Sequence, residues 1–127
     1  RHTPLPCLPY FAESDKGLVN AFKETFMPGL TATNTGFYAP QGRFLRAKGR
    51  VKNLINILQN FDYQGERIFN LEMETAGIYG LSQLLGHRAI SLSAILANRA
   101  DGTFSKNPHK TERILIETAL EKISTGI

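Results

Sequence analysis

The sequence predicts an α/β protein with a largely parallel sheet. Four segments carry apolar residues at helical spacing, and three others have the composition of β-strands. The two kinds of segment alternate along the chain, which is typical of strand–helix–strand units whose strands run parallel. A length of 127 residues, with 42% hydrophobic and 20% charged residues, fits one soluble domain with a packed core.

The first predicted helix follows a proline-rich start that is typical of an extended connector. Ser14 can cap this helix, and its apolar positions are Leu18, Phe22 and Phe26. The β-prone run GLTATNT (29–35) comes next and predicts the first strand. The segment GFYAPQGR (36–43) contains too much glycine and proline for regular structure, so it is predicted to be a loop.

The middle of the chain predicts a helix, a strand and another helix. A complete i, i+3, i+4, i+7 pattern predicts the first of these helices at Val51, Leu54, Ile55 and Leu58. RIFNLEM (67–73) predicts the second strand. The helix over 75–85 is expected to end at Gly86, a typical C-terminal cap. Its buried positions are expected to be Ile78, Leu81 and Leu85.

The last third predicts one more strand and one more helix. RAISLSAILANR (88–99) is nearly all apolar if its Ser and Ala count as small buried residues, which suits a strand covered on both faces. Asn107 can cap the final helix, and Pro108 fits its first position. The residues expected to face the core from this helix are Ile116, Leu120 and Ile123.

Charge and composition narrow the classes of function. The net charge of +4 includes a basic run, Arg43, Arg46, Lys48, Arg50 and Lys52, which is either a nucleic-acid or phosphate footprint or a solvated surface. The only cysteine, Cys7, and the three histidines, His2, His87 and His109, lack the spacing of a metal site or a catalytic nucleophile. No apolar stretch is long enough to span a bilayer, and no signal-peptide pattern opens the chain. We therefore expect a cytoplasmic protein without membrane contacts.

Polar residues follow each of the three predicted strands. They lie in TGFYAPQGR (35–43), EMET (72–75) and ANRADG (97–102). In open α/β sheets, ligands bind beyond the carboxyl ends of the strands. The three segments together therefore predict a ligand site.

Glu72 and Glu74 have two explanations at this stage. Both lie near the predicted start of a helix, where the helix dipole stabilises negative charge without any ligand. Alternatively, the carboxylates accept hydrogen bonds from ligand hydroxyls, and Glu74 could take two vicinal hydroxyls at once. The second explanation implies a sugar.

The loop 36–43 also has two explanations. In an extended conformation, Gln41 and Arg43 can point to the same side, and together they match the edge of uracil, which has a carbonyl on each side of an NH. Phe37 or Tyr38 could lie against a flat ring or a sugar. An ordinary polar turn would explain the same residues. Arg99 either reaches solvent or joins Arg43 at the same carbonyl.

These residues carry a family resemblance. Three segments, in this order and at these separations, resemble the C-terminal half of the nucleoside phosphorylases: GLTATNTGFYAPQGR, NLEMETAGIYGLSQLLG and AILANR. The EMExAGxY core is specific to the superfamily, and the FYxxQxR loop points to the uridine phosphorylase branch. Purine-cleaving relatives have an Asp, usually after Ser, where this chain has Asn98 and Arg99, which favours a pyrimidine substrate.

The resemblance implies a three-layer α/β/α sandwich with a mixed, largely parallel sheet, of which residues 1–127 would be the C-terminal part. It also implies phosphorolysis of uridine to uracil and ribose 1-phosphate, with phosphate as co-substrate and with neither cofactor nor metal. The implied base-binding residues are Phe37, Gln41, Arg43 and Arg99. The implied ribose-binding residues are Glu72, Met73 and Glu74. The implied catalytic residues are Arg43, Arg99 and Glu74.

The family's phosphate site uses a Gly-rich loop and arginines of the N-terminal half, and no segment of the 127 residues matches them. The expected partners are therefore that half of the domain and, as is common in the family, further copies in a dimer-based homo-oligomer or hexamer. The chain alone should lack phosphorolysis. One alternative is a nucleoside-binding module without catalysis. Another is a nucleic-acid-binding domain that uses the basic run, although no stacking-aromatic motif of RNA-binding proteins accompanies it.

Overall fold

A computed structural model describes residues 8–47, 49 and 51–127 of the chain. In chain order, its elements are α1 (Lys16–Phe22), β1 (Leu30–Thr33), α2 (Leu54–Gln59), β2 (Asp62–Tyr63), β3 (Glu66–Glu72), α3 (Thr75–Leu84), β4 (Ala97–Asn98), β5 (Thr103–Phe104) and α4 (Pro108–Ser124). The chain divides into two units, and the last of the three points where it passes from one unit to the other falls within α3. One unit contains Gly29–Gly80 and the segment that ends at Glu13, and the other contains Ser14–Pro28 and Leu81–Ile127. Cys7, His2, Lys48 and Arg50 lie outside the described residues.

The first unit contains a mixed three-stranded sheet. Its strand order is β1-β3-β2, with β1 parallel to β3 and β2 antiparallel to β3. The predicted strands β1 and β3 are confirmed with slightly different ends, whereas β2 was not predicted. A two-residue turn joins β2 to β3, and both Gln64 and Gly65 have positive φ, as a hairpin turn that follows the twist of the strands requires.

Helices α2 and α3 lie close to their predicted positions. Helix α2 starts three residues later than Val51, but it buries the two predicted residues Leu54 and Leu58. Helix α3 follows β3 after only two residues, as the sequence predicts. Gly86 has a φ of 73° and ends α3, since its N–H and that of His87 donate to the carbonyls of Gln83 and Ser82.

The second unit contains α1, α4 and a small antiparallel ladder between β4 and β5. The prediction that Ser14 caps α1 is wrong. Asp15 is the residue directly before the helix, and its carboxylate accepts from Leu18 N at 2.8 Å. The start of α4 is confirmed, because Asn107 accepts from Lys110 N and Pro108 opens the helix.

The predicted strand over 88–99 is wrong for most of its length. Residues 87–96 form no strand, and only Ala97 and Asn98 pair with β5. A strand needs a neighbour for its N–H and C=O groups. At the two ends of this segment, the described chain supplies bonds from Asp15 N to Ala89 O and from Ser105 N to Leu96 O.

The predicted buried faces of the two long helices are also wrong. Ile116, Leu120 and Ile123 of α4 are 57%, 60% and 61% exposed, and the positions Ile78, Leu81 and Leu85 are exposed as well. Among the described residues, the buried apolar side chains are Phe22, Leu54 and Leu58. The helical period determines which residues share a face, but burial requires a surface that packs against it. Within residues 8–47, 49 and 51–127, no helix has the length and apolar character to cross a bilayer.

Candidate active site at the ends of two parallel strands

The parallel pairing of β1 and β3 brings two loops to the same edge of the sheet. Thr33 and Glu72, the last residues of the two strands, are partners in the ladder. The pairing continues for one more step, because Asn34 N donates to Glu72 O at 2.8 Å. The segment that begins at Asn34 and the turn Met73–Glu74 therefore leave the sheet side by side, at the place where parallel sheets bind ligands.

Both carboxylate oxygens of Glu72 accept hydrogen bonds from neighbouring residues. Its Oε1 accepts from the Thr33 hydroxyl. Its Oε2 accepts from Glu74 N and Thr75 N, both at 2.6 Å. These are donors of the first turn of α3, which have no partner within the helix. Glu72 thus caps α3, as the first of the two sequence-based explanations requires.

These contacts determine the ionisation of Glu72. Partial burial raises the pKa of the carboxyl group, but the hydrogen bonds from Thr33, Glu74 and Thr75 act in the opposite direction and outweigh it. The pKa of Glu72 is therefore lowered from its ordinary value. Glu72 is anionic at neutral pH, and its charge is complemented by the positive end of the helix dipole.

Glu74 is in a different environment two residues later. Its side chain is exposed, and its Oε2 accepts from Met73 N at 3.2 Å. An ionised carboxylate offers about four acceptor positions, so Glu74 can accept further bonds from ligand hydroxyls. Met73 is also exposed and lies between the two carboxylates. Both oxygens of Glu72 thus accept hydrogen bonds from Thr33 and the start of α3, whereas the carboxylate of Glu74 is exposed.

The loop after β1 folds into a compact cluster. A 3-10 turn, Ala39–Gln41, is followed by Gly42 at a φ of 70°, a left-handed conformation that favours glycine. This reversal returns the chain so that Arg43 N donates to Tyr38 O at 2.9 Å. The guanidinium carbon of Arg43 lies 3.8 Å from the centre of the Phe37 ring, and its Nη1 donates to Phe37 O at 2.8 Å.

Gln41 belongs to the same cluster. Its Oε1 accepts from Arg43 Nη1, and the residue is only 4% exposed. Both side-chain bonds of Arg43 start from Nη1, and a guanidinium has further N–H groups on Nε and Nη2. The structure therefore brings together Phe37, Gln41 and Arg43, with an aromatic face covered by a cation and an amide fixed beside it.

Arg99 lies in the second unit, in the turn after β4, and is half-buried. The turn is held by Asp101, which accepts from Asn98 Nδ2 at 3.0 Å and from Thr103 N at 2.9 Å. Hydrogen bonds from the Thr103 hydroxyl and backbone lower the pKa of Asp101. The proximity of Arg99 to Arg43 stays a prediction.

The sequence did not single out two polar residues that hold these segments, Thr33 at the end of β1 and Asp101 in the turn after β4. Thr33 is an ordinary β-branched strand residue in the sequence, and its role is visible only from its register with Glu72. An Asp two residues before a Thr, in a turn that contains Gly, is a recognisable local signal that could have identified Asp101. Arg43, the first residue of the basic run, belongs to the loop cluster, because its guanidinium stacks on Phe37.

A separate depression of about 380 Å³ lies at the other end of β3. Its lining residues are Gln59, Asn60, Arg67, Ile68 and Phe69. Arg67 is already bound there, because its Nη2 donates to Gln59 O at 2.9 Å. This depression does not contain the residues that the sequence singles out.

The two clusters at the strand ends offer complementary chemistry. The Glu72–Glu74 turn supplies negative oxygen acceptors, and the Phe37–Arg43 loop supplies an aromatic face, an amide and a cation. Hydroxyl-rich and flat, carbonyl-bearing groups are the natural ligands of the first and the second. Among the described residues, no three His, Cys, Asp or Glu side chains are grouped so that they could hold a metal ion.

Comparison with known proteins identifies the family of the chain. The family model described as "Phosphorylase superfamily" matches residues 2–125. The uridine phosphorylase of Thermococcus kodakarensis is 32% identical over 98 residues, which cover 73% of this chain and 33% of that protein. The chain thus spans about a third of the length of this relative. No solved structure matches the chain significantly. Because the family model matches almost the whole chain, the chain belongs to the phosphorylase superfamily.

Proposed function

We propose that the complete protein is a nucleoside phosphorylase that cleaves uridine with phosphate, and that this chain supplies the base- and ribose-binding part. The main support is the parallel pairing of β1 and β3, because it brings the start of the Phe37–Arg43 loop and the Glu72–Glu74 turn to the same edge of the sheet. The similarity to a uridine phosphorylase supports the choice of a pyrimidine nucleoside.

The base would bind at the loop cluster. Gln41 can donate to a uracil carbonyl and accept from the adjacent ring NH, and Arg43 can donate to the second carbonyl. Because Gln41 is only 4% exposed, the base would have to displace side chains that cover its amide. Phe37 would line the pocket beside the ring, as aromatic side chains do for flat ligands. Arg99 would assist at the same carbonyl as Arg43.

The ribose would bind at the turn between β3 and α3. Glu74 has the exposed carboxylate that can accept from two vicinal hydroxyls, and Met73 offers an apolar surface beside it. Glu72 completes this side of the site as the residue that holds the turn. A nucleoside would thus be held at both ends while its glycosidic bond lies between them.

The reaction needs charge stabilisation at the base. A phosphate oxygen forms a bond to the anomeric carbon while the bond from that carbon to the base nitrogen breaks, and the electron pair stays on uracil. Negative charge then spreads to the carbonyl oxygens of the base, one of which would accept from Arg43. Because this charge develops mainly in the transition state, fixed cations there accelerate the reaction. Uracil then takes up a proton, and ribose 1-phosphate is released.

The test is an assay of the complete protein with uridine, with and without phosphate. We expect release of uracil that requires phosphate, with one ribose 1-phosphate formed for each uracil. Cleavage without phosphate would indicate a hydrolase and contradict the proposal. Binding of uridine without cleavage would favour a nucleoside-binding module of the same fold. Parallel assays with 2′-deoxyuridine, thymidine and adenosine would determine the substrate preference.

The cellular setting and assembly belong to the same proposal. The protein would be a cytoplasmic homo-oligomer, as the family resemblance implies. The rest of the phosphorylase domain would complete the phosphate site, since this chain covers 33% of the length of its relative. Size-exclusion chromatography with light scattering of the complete protein would determine the number of copies. A monomer with full activity would contradict the proposed assembly.

A further inference from the structure

The strand β1 ends in a hydroxyl that connects two elements. Thr33 Oγ1 donates to Glu72 Oε1 and accepts from Ala76 N, the latter at 3.0 Å. A hydroxyl group has one donor and two acceptor positions, so it can make both bonds at once. Thr33 therefore links the end of β1 to the carboxylate at the end of β3 and to the backbone of α3.

The contacts of Glu72 extend this link to the turn. Glu72 Oε2 accepts from Glu74 N and Thr75 N, and Thr33 accepts from the next N–H, that of Ala76. Three successive amide groups at the start of α3 are thus bound by two side chains. Thr75 is itself only 6% exposed, so this network is protected from water on one side. The backbone of Glu74 is fixed as a consequence.

We propose that Thr33 is a positioning residue of the site, which acts through Glu72 to hold the Met73–Glu74 turn in the orientation that a sugar requires. This inference rests on the proposed function, since it assigns Glu74 to the substrate hydroxyls. Glu72 then acts within the protein, and Glu74 is the carboxylate that meets the ligand. A misplacement of about 1 Å in such a group can cost about 100-fold in rate.

The hydroxyl, rather than the shape of the side chain, is the feature that matters. Thr33→Val keeps the branched shape but removes both the donor to Glu72 and the acceptor for Ala76. Thr33→Ser keeps the hydroxyl and removes only a methyl group. Thr31 lies two residues earlier on the same face of β1 and provides a matched control, Thr31→Val.

The experiment measures turnover of uridine by the complete protein and its three variants. We expect Thr33→Val to lower kcat/KM by about 100-fold, and Thr33→Ser and Thr31→Val to stay within a few-fold of the wild type. In a Glu74→Gln background, the effect of Thr33→Val should shrink, because the two residues act on the same contact. Equal losses in both backgrounds, or an active Thr33→Val protein, would overturn the proposal.

A second measurement does not depend on turnover. In protein labelled with ¹³C-glutamate, loss of the Thr33 donor should raise the pKa of Glu72, whereas Thr31→Val should leave its titration unchanged. If the wild type has no activity with uridine, the proposed function fails, and this titration still decides the placement of Glu72. An unchanged Glu72 titration in Thr33→Val would overturn the link itself. If Thr33→Val does not fold, Thr33→Ala removes the same hydroxyl and should raise the pKa of Glu72 in the same way.

Discussion

Arg43 carries the positive charge that the Phe37 loop offers to a ligand. Its guanidinium is fixed by the ring of Phe37 and by oxygens of Phe37 and Gln41, so little reorganisation is needed when charge develops nearby. Gln41 is held by the same contact. The loop is therefore organised before any substrate binds, which is the condition under which a fixed cation stabilises a transition state.

The first prediction concerns this cation. Arg43→Ala in the complete protein should lower kcat for uridine by about 100- to 1,000-fold, with a smaller change in KM, because the charge it meets exists mainly in the transition state. The kcat of Arg43→Lys should lie between those of the wild type and Arg43→Ala, since lysine keeps the charge without the planar guanidinium. Arg46→Ala, at an exposed position of the same segment, is the control. An unchanged kcat for Arg43→Ala would contradict the assigned role.

The second prediction concerns Glu72 and pH. Its pKa is lower in the folded state than its ordinary value, so its ionised form stabilises the fold above the ordinary range for Glu. This contribution should be lost as the pH falls through the lowered, folded-state pKa. Urea denaturation at a series of pH values should therefore show a flatter acid dependence of the unfolding free energy in Glu72→Gln than in the wild type. Glu66→Gln on the same strand is the control, and parallel curves for wild type and Glu72→Gln would contradict this prediction.

Among the elements, two helix ends were predictable from the local sequence, whereas most of one predicted strand was wrong. The start of α4 at Asn107 and Pro108 and the end of α3 at Gly86 depend on residues within one turn, and the sequence predicted both. The strand over 88–99 depends on a distant partner, and Ala97–Asn98 is the part that finds one. The same limit applies to the site. Glu72 and Glu74 were predicted as a pair, but their division depends on the register of Thr33.

The third prediction compares the C-terminal end of α3 with its interior. Gly86→Ala in the 127-residue chain should destabilise the fold by about 1 to 2 kcal/mol, because its φ of 73° is unfavourable for a side chain, although the added Cβ meets no atom within 4 Å. Gly77→Ala, within the helix and equally uncrowded, should stabilise it by about 0.4 to 1 kcal/mol. Thermal unfolding followed by circular dichroism would measure both. A shift of the same sign in the two variants would contradict the conformational explanation.

At the scale of the whole molecule, composition and burial disagree. A hydrophobic fraction of 42% is that of a protein with a packed core, yet Phe22, Leu54 and Leu58 are the buried apolar residues of the described chain. The helical spacing of Ile116, Leu120 and Ile123 places them on one face of α4, but this face is exposed rather than buried. A periodic pattern specifies a face and not the surface that covers it. Exposed apolar surface of this kind is typical of interaction sites and of chains prone to association.

The fourth prediction separates binding from catalysis at this scale. The described clusters could hold a base and a ribose, while the phosphate site is proposed to lie in the rest of the phosphorylase domain. We therefore expect the 127-residue chain alone to form no ribose 1-phosphate from uridine and phosphate, because the attacking phosphate has no fixed position. Product analysis with labelled phosphate would measure this, with the complete protein at equal concentration as the positive control.

Stoichiometric ribose 1-phosphate from the chain alone would mean that its own residues, such as the run from Arg43 to Lys52, bind the phosphate. Substitution of Arg46 and Lys52 by Ala would then have to abolish the product, and persistence of the product in that variant would place the phosphate elsewhere in the chain.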